Sequence, residues 1–107
     1  MKRGVFKIKC YNNETEDFYL EERNGLISTF FGIHRVPKNA GYKVTHLPTG
    51  CGVRIMRTQK QARKLVAELE KGEEIGHFPI SWGNADPESF YPNGPETRRI
   101  INRIREE

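Results

Sequence analysis

Long apolar runs are missing from this sequence, and so are most of the residue patterns on which site chemistry is built. No stretch approaches the ~18 consecutive apolar residues of a membrane-crossing helix. The first residues, "MKRGVFKIKCYNNETED", are basic but have no apolar segment of signal-peptide length behind them. A soluble, cytoplasmic protein without a membrane partner is expected. There are only two cysteines, Cys10 and Cys51, too few for the disulfide framework of a small secreted domain. In a reducing compartment both are expected to be free thiols that pack as small apolar groups. The sequence has no phosphate-cradling glycine loop, no G-x-S-x-G and no H-E-x-x-H. His34, His46, His77, Cys10 and Cys51 lack the paired short spacings of a zinc site. The acids of "ETEDFYLEE" do not follow a calcium loop and read as a solvated face. Asp86 and Glu88 stand in a loop-like stretch with nothing evident to support paired-carboxylate chemistry. No metal, no cofactor and no enzymatic activity are expected.

What is present is charge, unevenly spread. The chain has 107 residues, a length for a single domain spanning 1–107. It is 36% hydrophobic, 30% charged and 10% aromatic, so a small core must coexist with a heavily charged surface. Net charge is +4. Between Arg35 and Lys71 nine bases (Arg35, Lys38, Lys43, Arg54, Arg57, Lys60, Arg63, Lys64 and Lys71) face only Glu68 and Glu70, a net +7. Between Tyr11 and Glu22 five acids stand without a base. A concentrated basic segment is the footprint of nucleic-acid binding, and a solvated charged surface is the alternative.

Periodicity divides the chain into alternating strands and two helices. "VFKIKCY" places Phe6, Ile8 and Cys10 on one face, with Lys7 and Lys9 on the other. "NNETED" is turn-like, and "FYLEE" is a return strand. "RNG" predicts a turn at Gly25, followed by a strand over "LISTFFGIHRV", bent at Gly32, and ended by "PKNAG". "YKVTH" and "GVRIM" flank "LPTGC" as a hairpin. Tyr42, Val44 and His46 are expected on its inner face with Val53 and Ile55, and Lys43 and Arg54 on its outer face. "RTQKQARKLVAELEKG" predicts a helix from Thr58 to Lys71, with Thr58 as N-cap, Gln61 completing a capping box and Gly72 as terminator. Ala62, Leu65, Val66 and Leu69 form its apolar stripe. Pro95 opens a short C-terminal helix whose apolar face is Ile100, Ile101 and Ile104. The expected fold class is α+β: a small antiparallel sheet of three to five strands packed on one main helix, with a short C-terminal helix.

His46 and Cys51 flank the hairpin turn and would lie close together. A catalytic Cys–His pair needs a third group to orient the base, and no acid or amide nearby offers itself. His46 is therefore expected as a strand residue and Cys51 as a small space-filler. The loop "EEIGHFPISWGNADPESFYPNG" carries Phe78, Ile80, Trp82, Phe90 and Tyr91. It is expected to pack over the core; held out instead, it would be a docking loop.

Residues Gly41 to Leu69 run strand, turn, strand and then a helix opening "RTQKQARKLVAEL". Tyr42 on the hairpin, Thr58 at the helix start and Ala62 in its first turns resemble the sheet-plus-helix DNA-binding domains of phage and transposon integrases and of plant ethylene-response factors. That family usually has a tryptophan in its hairpin, and this one has none. The resemblance implies a sheet lying in the DNA groove with the helix behind it, and Lys43, Thr45, Arg54 and Arg57 directed at nucleic acid. The general look is similar to a short accessory protein of a phage or other mobile element. The sequence-level reading is an accessory protein that binds nucleic acid, DNA ahead of RNA, through a basic hairpin–helix unit of Lys43, Thr45, Arg54, Arg57, Lys60, Arg63 and Lys64. The alternative is an inhibitor or adaptor that binds a protein through Trp82, Phe90 and Tyr91, or an acidic protein through the basic face.

Overall fold

The computed structural model describes residues 1–39, 41–76, 78, 81–84 and 94–107. It is an α+β fold with one five-stranded antiparallel sheet in the order β1-β2-β3-β4-β5. The strands are β1 (Lys2–Asn12), β2 (Asp17–Ile27), β3 (Phe31–Val36), β4 (Gly41–His46) and β5 (Gly52–Met56). Helix α1 (Gln59–Glu74) follows β5, and α2 (Pro95–Arg105) ends the chain. Among the described residues no helix is long and apolar enough to cross a membrane.

The core lies between the sheet and α1. Phe31, Ile33, Val44, Val53 and Met56 meet Ala62, Leu65, Val66 and Leu69, with Ile101 and Ile104 of α2 closing one side. The helix stripe and the C-terminal apolar face thus lie where periodicity places them. Thr58 caps α1, its Oγ1 accepting from Gln61 N–H at 3.1 Å. The expected stop at Gly72 is corrected: α1 runs on to Glu74, and Gly76, with φ +78°, follows its C-cap. Gly72 is needed for a different reason. A Cβ there would come within 2.5 Å of the Phe78 ring, which packs against the helix at that point.

The first turn after β1 forms as expected at residues 13–16, with Asn12 Oδ1 accepting from Glu14 N–H at 2.9 Å. The second does not. β2 continues through Arg23, Asn24 and Gly25 to Ile27, and the turn falls at Ser28–Phe30. Gly25 serves close approach rather than turning: a Cβ there would lie 2.0 Å from the Ile33 carbonyl oxygen. The real turn is held from outside. The Glu70 carboxylate of α1 accepts from Ser28 Oγ at 2.7 Å and from Phe30 N–H at 3.0 Å. "LISTFFGIHRV" is therefore two strand ends separated by this turn, not one strand.

The β4–β5 pairing carries a further correction. Its register shifts between Val44 and Thr45, with Lys43 opposite Ile55, Val44 opposite Arg54 and Tyr42 opposite Met56. Facing residues of paired strands share a side, so Ile55 stands with Lys43 away from the helix and is 40% exposed. Met56 takes its place in the core. Lys43 and Arg54 consequently lie on opposite faces.

The outer face of the sheet is also covered. Phe6 and Ile8 are buried but do not belong to the helix-side core. The Phe6 ring lies over Gly32, where a Cβ would come within 2.9 Å of it, and 5.9 Å from the His34 ring. Lys9 N–H donates to the Gly50 carbonyl at 2.8 Å, tying β1 to the β4–β5 turn. The β1–β2 hairpin thus folds across the outer side, and Val44, Thr45 and His46 are all buried in succession.

Candidate nucleic-acid interface

The residues singled out in the sequence separate into three groups. Arg54, Arg57, Lys60, Arg63 and Lys64 are all exposed, along the stretch that runs from β5 into the first turns of α1. Lys43 is half-buried on the opposite sheet face, its side chain lying over Gly52. Thr45 is fully buried and adds nothing to any surface. The hairpin register, invisible to simple alternation, removes both from the basic group.

Arg54 and Arg57 meet a third arginine. Gly41, Arg54, Ile55, Met56, Arg57, Gln61 and Arg105 line a concavity of about 330 Å³. Its arginines come from β5, from the β5–α1 junction and from the last turn of α2. None of the three has a salt bridge among the described residues. Pairing is common nearby: Lys64 with Glu107, Arg103 with Glu68 at 2.8 Å, and Arg99 with Glu96. The positive end of the α1 dipole lies beside this concavity, and α1 has no acidic residue in its first turn. Unpaired arginines around a polar concavity offer planar, permanently charged donors to an anion. Lys60 extends this positive surface in the first turn of α1, whereas the Lys64 charge is paired with Glu107. Arg105 was readable only as lying off the α2 apolar stripe; no local pattern joins it to residues some fifty positions earlier.

His46 and Cys51, which flank the β4–β5 turn, belong to a hydrogen-bonded cluster around Thr49. His46 Nε2 lies 2.8 Å from the Trp82 carbonyl, which can only accept, so that nitrogen carries the proton. Nδ1 then accepts from the Thr49 hydroxyl at 2.9 Å, and Thr49 Oγ1 accepts from Cys51 N–H at 3.1 Å. Burial lowers the His46 pKa, opposed by the Trp82 carbonyl and by Glu73. Among the described residues no group of three or more metal-ligating side chains occurs. His77, Asp86 and Glu88 lie outside the described residues.

Trp82 is in the core. Its Nε1–H donates to the Leu69 carbonyl at 3.2 Å, and its ring packs on Phe31, His46 and Phe78. The packed form of this segment therefore holds at Trp82, while Phe90 and Tyr91 lie outside the described residues.

The exposed aromatic surface is elsewhere, on the β1–β2 hairpin. Tyr11 and Phe18 face each other with ring centroids 5.1 Å apart, and Lys9 Nζ sits 4.4 Å from the Phe18 centroid. Phe18 is 63% exposed and Leu20 59%. With Lys7, Lys9, Leu47 and Pro48 they line an apolar groove of about 420 Å³. From Asp17 to Gly25, β2 pairs with β1 alone, so its second edge carries no strand among the described residues. In the sequence the acids around it, Glu14, Glu16, Asp17, Glu21 and Glu22, read as a solvated face. No protein-family model, no curated protein and no solved structure matches the chain.

Proposed function

We propose that this protein is a small accessory protein that binds nucleic acid, DNA ahead of RNA, in the cytoplasm and without catalysing a reaction. The supporting observation is the convergence of Arg54, Arg57 and Arg105, none with an acidic partner among the described residues, beside Lys60, Arg63 and Lys64. Phosphate contacts of this kind dominate affinity and make it strongly salt-dependent. The surface differs from the sheet face that the resemblance to integrase and ethylene-response-factor domains implies. On that face Phe6 packs over Gly32, so binding is assigned instead to β5, the start of α1 and the end of α2.

The deciding experiment is titration of the protein with mixed duplex DNA and RNA at low salt. Binding that weakens steeply with salt supports the reading. Absence of binding at about 100 μM, where non-specific phosphate contact registers, rejects it.

A second reading, an inhibitor or adaptor that binds a protein, draws on the hairpin. Tyr11, Phe18 and Leu20 form an exposed apolar surface beside an open strand edge, the setting for strand addition by a partner. Trp82 is not the anchor on this reading, since it is buried.

A further inference from the structure

We infer that the concavity of Arg54, Arg57 and Arg105 is a discrete site for a phosphomonoester dianion, the terminal phosphate of a nucleic-acid strand. The inference rests on the phosphate-binding reading above and narrows it from a surface to a pocket. Three arginines, from β5, the β5–α1 junction and α2, line the pocket, and among the described residues no acid lines it. A guanidinium cannot shed its proton at neutral pH, so the site holds three fixed positive charges. A phosphodiester brings one negative charge and two free oxygens. A phosphomonoester brings nearly two charges and three free oxygens, which matches the three donors better.

The remaining lining fits the rest of such a ligand. Gln61 supplies a side-chain amide, and the α1 N-terminus adds its partial positive charge on the same side. Gly41 brings backbone without a side chain. Ile55 and Met56 complete the lining along β5. A volume of about 330 Å³ accommodates a phosphate together with the sugar that carries it.

The test uses the full chain and two probes. Inorganic phosphate is added at constant ionic strength, with thermal unfolding as the readout. One oligonucleotide is titrated with either a 5′-phosphate or a 5′-hydroxyl. The expected results are a phosphate-dependent rise in midpoint and affinity about tenfold higher for the phosphorylated end, the scale of one strong charged contact. Arg105→Ala should abolish the phosphate-dependent rise and equalise the two ends, with 5′-hydroxyl binding weakened only by the loss of one phosphate contact. Arg57→Gln serves as the second variant should Arg105→Ala unfold. Equal affinity for the two ends, with no phosphate effect, overturns the pocket while the broader nucleic-acid reading stands. A phosphate effect lost in Arg105→Ala, with neither oligonucleotide bound, keeps the pocket, assigns it to a small free phosphate and removes the broader reading. A phosphate effect retained in both variants overturns the assignment of these arginines.

Discussion

His46 donates a buried hydrogen bond, 2.8 Å long, to the main-chain carbonyl of Trp82. It joins β4 to the segment after α1, 36 positions along the chain. The imidazole can do this while neutral and still accept from Thr49. A second proton would displace the Thr49 hydroxyl hydrogen from Nδ1 and place a charge in the core.

Stability should therefore fall on acidification. Burial lowers the folded-state pKa of both His46 and His34, with Lys43 and Arg23 adding to the effect at His34. The unfolded chain takes up these protons near pH 6.5 while the folded chain resists. The contribution is complete above about pH 6.5 and is lost as pH falls toward the folded values. Urea unfolding at pH 7.5 and pH 5.5 should give a lower midpoint at pH 5.5, and His46→Gln should flatten the difference. A midpoint that holds steady or rises on acidification would contradict this arrangement.

The β5 register can be checked with two truncations. Leu65 is fully buried, so Leu65→Ala should cost roughly 2–5 kcal/mol. Ile55→Ala should cost well under about 1 kcal/mol, as for surface substitutions in general. Comparable losses at the two positions in denaturant unfolding would mean that Ile55 faces the core.

Glu70 should behave as a structural acid. Its carboxylate accepts from both Ser28 Oγ and Phe30 N–H in a partly buried setting. Glu70→Ala should cost about 1–3 kcal/mol, the range for a hydrogen-bonded charged group whose partners are left unsatisfied. Hydrogen exchange at Phe30 N–H should speed up in the variant. Unchanged protection there would remove Glu70 from the β2–β3 turn.

The two faces of the hairpin should separate in binding assays. If the basic surface binds nucleic acid, Arg54→Ala and Arg57→Ala should each lower the slope of log affinity against log salt by about one unit. Lys43→Ala, on the opposite face, should leave the slope unchanged. An equal effect from Lys43→Ala would place nucleic acid on the outer face of the sheet instead.

Sequence alone determined the elements whose signals are local. Thr58, Gln61 and the Ala62–Leu69 stripe define α1 because capping and a 3.6-residue period act within a few turns. Pro95 and the Ile101–Ile104 face define α2 in the same way, and alternation marks β1, β4 and β5. Tertiary structure decided whatever depends on residues distant in the chain. Gly25 was a turn signal by composition, yet the approach of the Ile33 carbonyl keeps it in a strand, and Glu70 sets the turn at residues 28–30. A register shift at Val44 and Thr45 reversed Ile55 and Met56, since each strand position alternates faces. The candidate site divides in the same manner. The basic character from Arg54 to Lys64 was legible because charge is carried by residue type. The meeting of Arg105 with Arg54 and Arg57 was not, because only the packing of α2 on α1 sets that distance.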